Sequence, residues 1–246
     1  ISSATEYVLV NQERDGGWKC MTSYGDRKEL ADDFEIAATA INGSALLRLD
    51  DNGMAKESAG RALNWMLKQR KILQNEEKPP VVFMDYTVWS RSYCIDFLAD
   101  CLQHKVGNAD AVRAEISNCI KDLADRQQQN GGWSYYLTTK VGGAATPQSI
   151  SFTSATVVMA LERAVEVGMA VDEEMLKRGL DCMAALRCEN GTFAYFLNGA
   201  DFATSEPASF DIEGSAARGP ACALSLIRGG RETFDDLAPR LQMYID

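Results

Sequence analysis

The sequence is poor in the residue types that most metal and nucleic-acid sites need. Histidine occurs once, as His104, and no two cysteines have the Cys-x-x-Cys spacing of a zinc knuckle. Lysine and arginine total 25 against 35 acidic residues, and the resulting formal charge of −10 argues against a nucleic-acid-binding surface. No apolar stretch is long enough to cross a membrane. We therefore expect no metal, no cofactor, no nucleic-acid partner and no transmembrane segment.

Cysteine usage bears on the cellular compartment. The cysteines are seven, an odd number: Cys20, Cys94, Cys101, Cys119, Cys182, Cys188 and Cys222. Five of them (all except Cys20 and Cys188) fall among apolar residues of predicted helices, where a free thiol behaves as a small hydrophobic group. Buried, reduced thiols favour a reducing compartment. Export stays open, because the chain begins at Ile1 and a signal sequence could have been removed.

Two unrelated landmarks repeat along the chain with one offset. Gly16-Gly17-Trp18 recurs as Gly131-Gly132-Trp133, and Gly53-Met54-Ala55 recurs as Gly168-Met169-Ala170. Both pairs are 115 residues apart, from position 16 to 131 and from position 53 to 168. A related third segment ends in Gly191-Thr192-Phe193. This regularity indicates a repeat array, in which each unit buries its apolar face against its neighbours.

Each repeat unit reads as a buried helix followed by an amphipathic one. Thr153–Glu166 is apolar nearly all round, whereas Asp172–Arg187 has apolar residues at helical spacing on one face only. Buried helices are predicted at Phe34–Leu49, Val88–His104, Thr153–Glu166 and Ser215–Arg228. Amphipathic helices are predicted at Lys56–Leu73, Ala109–Gln128, Asp172–Arg187 and Glu232–Ile245. Glycines mark the short turns, at Gly53, Gly107, Gly168 and Gly229.

This pattern predicts an all-α fold, an α/α toroid in which inner helices line a barrel and outer helices face water. About four units of roughly 55–61 residues are present. An incomplete ring and an open α-solenoid are the alternatives. We expect residues 1–246 to form a single such domain within a longer protein, since the chain starts inside a unit. No period-two strand is evident, and any pocket is expected at the end where the long loops emerge.

The segments around the tryptophans resemble the QW repeat of squalene–hopene and oxidosqualene cyclases, which share a helical-toroid superfamily with protein prenyltransferase β subunits. Tyr7-Val8…Gln12…Gly16-Gly17-Trp18 matches in full, and Leu123…Gln127…Gly131-Gly132-Trp133 lacks only the aromatic residue. The third segment has Arg187 in place of glutamine. In those families the motif is structural, and its glutamine amide can bond to unsatisfied groups at helix ends. The resemblance thus implies structural roles for Gln12, Gly17, Trp18, Gln127, Gly132, Trp133, Gly191 and Phe193.

The catalytic motifs of these relatives are missing from the sequence. There is no Asp-x-Asp-Asp acid of a class II triterpene cyclase and no Gly-Cys-Gly-Glu-Gln thioester of the complement-type toroids. His104 is expected to partner a helix C-terminal dipole rather than to bind the zinc of a prenyltransferase. Asp32, Asp33 and Glu35 are the candidates for a cavity acid, with capping of a helix N-terminus as the alternative.

Polar and aromatic residues gather where the predicted inner helices begin. They are Asp85, Tyr86, Trp89, Arg91, Tyr93, Ser149, Ser151, Phe152, Phe210, Asp211, Glu213 and Arg218. Such a mixture suits a ligand pocket, because rings give apolar contact and a few charges orient the ligand. The alternative is that the charges cap helices and the rings fill gaps. Arg218 needs a partner on an otherwise buried helix, and Asp211 or Glu213 could supply it.

Three functions remain open from the sequence. An intact repeat skeleton without catalytic motifs favours a non-catalytic toroid domain that binds an apolar small molecule, a peptide or another domain of its own protein. A triterpene or isoprenoid cyclase-like enzyme, or a fragment of one, is the alternative, and a buried Asp33 or Glu35 with a strongly raised pKa beside aromatic rings would favour it. A carbohydrate-active toroid enzyme is the second alternative and needs two carboxylates about 5–10 Å apart.

Overall fold

The computed structural model describes residues 3–20, 28–49, 53–75, 86–136, 148–188, 191–199, 206–208 and 212–236. The helices are α1 (Ser3–Val10), α2 (Lys28–Leu49), α3 (Gly53–Asn75), α4 (Thr87–His104), α5 (Ala109–Ala124), α6 (Ser151–Glu166), α7 (Glu173–Ala185) and α8 (Ile212–Arg228). The strands are β1 (Gln148–Ile150), β2 (Phe196–Asn198) and β3 (Glu206–Ala208). The predicted all-α class is confirmed. Within the described residues no helix is long and apolar enough to span a membrane.

The observed helix bounds follow the predicted ones closely. The largest differences are at α2, which begins at Lys28, and at α5, which ends at Ala124 instead of Gln128. The backbone at Gln127 turns there, with its N–H donating to Ala124 at 3.2 Å. The helix predicted at Glu232–Ile245 lies mostly outside the described residues.

The predicted turn glycines have different roles in the structure. Gly107 and Gly168 have positive φ angles, of 78° and 77°, as expected of residues that end a helix. In the last turn the positive φ, 68°, belongs to Gly230 rather than Gly229. Gly53 is the first residue of α3.

A small antiparallel sheet, which the sequence did not predict, joins three loop segments. Its order is β1-β2-β3, with Ser149 opposite Leu197 and Leu197 opposite Pro207. Each strand has only three residues, too few to produce a recognisable period-two pattern.

The chain divides into two compact units. Unit 1 consists of Ile1–Val81, Trp89–Lys121 and Arg163–Ala170. Unit 2 consists of Val82–Val88, Asp122–Glu162 and Val171–Asp246. The single ring-shaped domain expected from the sequence stays a prediction.

The first repeat junction, residues 12–18 in unit 1, joins α1 to α3 through side-chain hydrogen bonds. The Gln12 amide nitrogen donates to the carbonyls of Gly16, at 2.8 Å, and Ser58, at 2.9 Å. The Trp18 indole N–H donates to the Val8 carbonyl at 2.9 Å, and its side chain is buried. Both acceptors on the helices are backbone groups, and the Gln12 side-chain oxygen in turn accepts from the hydroxyl of Ser58, at 2.7 Å, and from Arg61.

The second repeat junction, residues 127–133 in unit 2, has the same bonds. The Gln127 amide nitrogen donates to the carbonyls of Gly131, at 2.7 Å, and Met175, at 2.8 Å. The Trp133 indole N–H donates to the Leu123 carbonyl at 2.8 Å. The equivalence of the two segments, inferred from their offset, therefore extends to individual hydrogen bonds.

The third repeat junction, residues 187–193 in unit 2, keeps part of this scheme. Arg187 stands in the glutamine position and forms an ion pair with Glu232. At all three junctions the backbone N–H of the aromatic residue donates to a buried hydroxyl: Trp18 to Thr39 at 3.0 Å, Trp133 to Ser154 at 2.9 Å and Phe193 to Ser215 at 3.0 Å. This hydrogen bond is present at the third junction even though arginine and phenylalanine stand there in place of glutamine and tryptophan.

Gly132 packs too closely for any side chain. A Cβ atom there would lie 2.5 Å from Cys182 Sγ and 2.6 Å from Ser149 Cβ, both in buried residues. We expect Gly132→Ala to lower the free energy of unfolding by about 1–3 kcal/mol, because a packed core relaxes poorly around extra volume. Urea unfolding measures this. Gly53→Ala is the control, since no described atom lies within 4 Å of that Cβ position; equal stabilities of the two variants would contradict the prediction.

The Trp133 indole N–H should contribute measurably to stability. Trp133→Phe keeps an aromatic ring, as Phe193 does at the third junction, but removes the donor at 2.8 Å from the Leu123 carbonyl and leaves it only the Arg126 backbone N–H at 3.2 Å. We expect a loss of about 1–2 kcal/mol, because both groups are buried. Trp65→Phe is the comparison, since its indole donates to the exposed Asp15 carboxylate, which water can also satisfy. A smaller loss for Trp133→Phe than for Trp65→Phe in thermal unfolding would refute this account.

Candidate functional site

Unit 2 contains a cavity of about 490 Å³. Its lining residues are Phe152 and Thr156 from α6, Tyr195 from the loop before β2, and Gly214, Ala217, Arg218 and Ala221 from α8. The α8 residues recur three and four apart, which places them on one face of the helix. We call this the unit 2 cavity.

Arg218 is held in the wall of the unit 2 cavity by the third junction. Its side chain is buried, and its Nε donates to the Phe193 carbonyl at 3.1 Å. The guanidinium lies 5.5 Å from the centre of the Tyr195 ring, within the range of a cation–π interaction. The cation is therefore positioned by neighbours on the backbone and on the ring.

A cluster of aromatic rings lies next to the cavity within unit 2. The Tyr135 and Tyr195 hydroxyls are 2.6 Å apart, a short hydrogen bond. Tyr86 stacks on Tyr135 with ring centres 5.6 Å apart, and Phe152 meets Tyr195 edge-on at 5.4 Å. Burial raises the pKa of Tyr135, and hydrogen bonds with Tyr136 and Tyr195 raise it further. The Tyr135 phenol is therefore neutral at physiological pH.

The short sheet holds the backbone of Tyr195 in place. Ser151 N–H donates to the Tyr195 carbonyl at 3.1 Å, directly beside the β1–β2 pairing. Beneath it, the fully buried Asn130 donates to the Leu197 carbonyl at 3.1 Å and accepts a bond from Ser149. A buried amide with partners on both sides rigidifies its surroundings. Tyr195 thus projects from an ordered framework.

The buried cysteines Cys182 and Cys222 are poor nucleophiles. All seven are free, and the five expected to be buried are buried. Burial raises the pKa of Cys182 and of Cys222 to about 12, so both are thiols at neutral pH. Among the described residues no three His, Cys, Asp or Glu side chains come together as a metal site. His104 is the last residue of α4, where a basic group meets the helix dipole.

The candidate acids lie in α2, in unit 1. Asp33 is buried and accepts hydrogen bonds from Ser90, at 2.7 Å, and Arg91, at 3.4 Å. Two predicted site residues, Asp33 and Arg91, are thus each other's partners. Burial raises the pKa of Glu35, and the carboxylate of Asp32 raises it further. Glu35 and Asp32 are half-buried.

The remaining predicted site residues have separate locations. Phe152 and Arg218 line the unit 2 cavity, and Tyr86 belongs to the adjoining aromatic cluster. In unit 1, Trp89 and Tyr93 are half-buried. Asp85, Phe210 and Asp211 lie outside the described residues, as does the side chain of Glu213 in α8.

The two tyrosines at the centre of the cluster, Tyr135 and Tyr195, were not predicted as site residues from the sequence. Both follow a repeat motif at the same distance: Gly-Gly-Trp-Ser-Tyr ends at Tyr135, and Gly-Thr-Phe-Ala-Tyr ends at Tyr195. A comparison of the repeats that continued two residues past the aromatic position would have identified these tyrosines as equivalent to each other. The first repeat has Cys20 at this position.

No protein-family model matches the chain, and no curated protein matches it.

Stability at alkaline pH should depend on Tyr135. Its pKa is raised above the ordinary value of 10.0, so above that pH the unfolded chain loses this proton before the folded protein does. The unfolded state then binds fewer protons, and the free energy of unfolding falls as pH rises. Tyr135→Phe removes this contribution. Above pH 10.0 the free energy of unfolding of this variant, measured in urea, should decline less steeply with pH than that of the wild type.

Tyr7→Phe is the control for this experiment, because its side chain is 67 % exposed. It should follow the wild-type decline. A Tyr135→Phe slope equal to that of the wild type would show that the folded protein does not hold this proton.

Proposed function

We propose that the chain is a non-catalytic QW-repeat domain whose unit 2 cavity binds a small, largely apolar molecule. The observation that carries the proposal is the wall of that cavity: the rings of Phe152 and Tyr195, the methyl groups of Ala217 and Ala221, and one positioned cation, Arg218. Apolar walls with a few oriented polar groups are typical of small-molecule sites.

The QW assignment is supported by the first and second junctions. The glutamine amide of each bonds to a carbonyl of another helix, and each indole bonds to the end of the preceding helix. The indole bonds are the contacts with helix ends that the motif would be expected to make, whereas the glutamine bonds reach carbonyls in the early turns of α3 and α7. The toroid and the relationship to triterpene cyclases remain part of the proposal.

The chemistry of the cavity favours binding over catalysis. The described residues that line it carry no carboxyl group. A cyclase needs an acid that protonates the substrate, and a glycosidase needs a pair of carboxylates. Among the described lining residues the charged group is the Arg218 guanidinium, which donates hydrogen bonds and does not accept them. A ligand with an apolar body and an acceptor group fits this arrangement.

Glu35 is the observation that favours the cyclase alternative. Burial and the Asp32 carboxylate both raise its pKa, the direction expected of an acid that must hold a proton. Incubation of the protein with squalene tests this alternative. Turnover by the wild type that disappears in Glu35→Gln would establish an enzyme and refute the non-catalytic proposal.

Filling the unit 2 cavity should abolish ligand binding. The probe is 1-anilinonaphthalene-8-sulfonate, an aromatic anion whose fluorescence rises in apolar surroundings. We expect saturable binding at one site per chain, and a loss of about tenfold or more in affinity for Ala217→Trp. Ala217 lines the cavity from an exposed position on α8, so the new ring occupies the space without removing a core contact.

Leu224→Trp is the matched control. It adds the same ring to α8 at a residue that is 37 % exposed and does not line the cavity. Its affinity should equal that of the wild type. Unchanged binding in Ala217→Trp, or equal loss in both variants, would refute the site. Native mass spectrometry of the purified wild type provides an independent test for a bound apolar molecule.

A further inference from the structure

Unit 1 contains a second, smaller cavity between two helices. Its volume is about 270 Å³, and its lining residues are Ile41, Ser44, Ala45 and Arg48 from α2 with Tyr93 and Asp96 from α4. We call it the α2–α4 cavity. None of the junctions described above uses these side chains.

Ser44 is the polar group that points to an occupant. Only 8 % of the residue is exposed, and its Oγ has no hydrogen-bond partner within the described part of the chain. A helical serine often bonds to the carbonyl four residues earlier, and Ser44 does not. A buried hydroxyl without a partner is destabilising, so a molecule that bonds to it would gain binding energy.

Tyr93 and Asp96 supply two more oxygen groups. They are three residues apart in α4 and so share a helix face. Burial raises the pKa of Tyr93, and the Asp96 carboxylate raises it further, so this phenol is neutral. Ser44, Tyr93 and Asp96 all line this cavity, and each side chain carries an oxygen that can accept a hydrogen bond. The Ser44 hydroxyl has almost no accessible surface and would accept such a bond after rotation about its Cα–Cβ bond. A primary ammonium group carries three donors.

Charge also favours a cation in this cavity. Arg48 lies in the wall, but its Nε donates to Asp100 at 2.7 Å, and Asp100 is almost fully buried. Arg163 donates to the other oxygen of Asp100 at 2.8 Å. The Arg48 charge is therefore partly neutralised, while Asp96 contributes a negative charge to the lining. A carboxylate has about four lone-pair sites, so Asp96 can accept a further bond beside its existing contacts.

The rest of the wall is apolar and sets the size of the occupant. Ile41 and Ala45 lie one turn apart on α2. An apolar cavity of about 150 Å³ accommodates benzene. A cavity of about 270 Å³ therefore has room for one ring with a short aminoalkyl chain.

We propose that the α2–α4 cavity binds a small primary amine with an apolar body, whose ammonium group donates hydrogen bonds to Ser44, Tyr93 and Asp96. This site is separate from the proposed function of the unit 2 cavity and involves none of its residues. Its occupant also differs in chemistry, because the lining carboxylate selects a cation whereas Arg218 selects an acceptor.

Isothermal titration calorimetry with three matched probes tests the proposal. The probes are 2-phenylethylamine, the neutral 2-phenylethanol and the anionic 3-phenylpropanoate. We expect the amine to bind at one site with a Kd of about 1 mM or below, and the alcohol to bind about tenfold more weakly. The carboxylate should not bind. Equal binding of amine and alcohol, or no saturable binding of the amine, would overturn the proposal.

Variants locate the binding. Asp96→Asn should weaken amine binding about tenfold, and Asp110→Asn, at an exposed position on α5, should leave it unchanged. Ala45→Leu keeps every polar group, fills the cavity and should abolish amine binding. It therefore tests the location of the site even if Asp96→Asn does not fold. Wild-type affinity in Ala45→Leu would overturn the site. Ala217→Trp should bind the amine normally, which separates a failure here from a failure of the unit 2 proposal.

Discussion

The structure depends on satisfying backbone groups where one helix ends and a loop returns. The last carbonyls of a helix have no partner within it. In the first and second junctions an indole N–H reaches such a carbonyl, a glutamine amide reaches a carbonyl near the start of another helix, and a buried hydroxyl accepts from the aromatic residue's own N–H. These bonds involve groups that are buried or nearly so, where an unmade bond is costly. The spacing of glutamine, glycine and tryptophan is thus dictated by backbone geometry.

The third junction meets the same constraint with different side chains, and one of them, Arg218, also lines the unit 2 cavity. At the second junction the Trp133 carbonyl accepts from the backbone N–H of Ile150 at 2.9 Å. At the third, the equivalent carbonyl of Phe193 accepts from the Arg218 side chain at 3.1 Å. The Arg218 guanidinium thus donates the hydrogen bond that the Ile150 N–H of β1 donates at the second junction. Arg218 is therefore fixed by a structural need, and its guanidinium lies beside the Tyr195 ring at the cavity.

The helical framework could be predicted from sequence because it rests on local patterns: apolar periodicity, turn glycines and a repeated spacing. The site could not, because its contacts join residues far apart in the chain. Asp33 and Arg91 were both interpreted as pocket residues, yet they pair with each other across 58 positions. Ser44 carries no sequence signal, since its importance arises from a bond it does not make. The short sheet was missed because three-residue strands have no periodicity to detect.

Tyr135 and Tyr195 show how two equivalent segments differ from the first beside the cavity that we propose as a binding site. The glutamine and tryptophan positions are constrained because their side chains bond to backbone carbonyls, whereas Arg187, in the glutamine position of the third junction, pairs with Glu232. The side chain two residues after the aromatic residue forms none of these junction bonds, and its identity differs between the segments. It is Cys20 in the first and tyrosine in the other two. Variation there adds polar and aromatic groups without disturbing helix ends. The side chains that differ between the segments, Tyr135 and Tyr195 among them, therefore lie next to the junctions, where the backbone is held by hydrogen bonds.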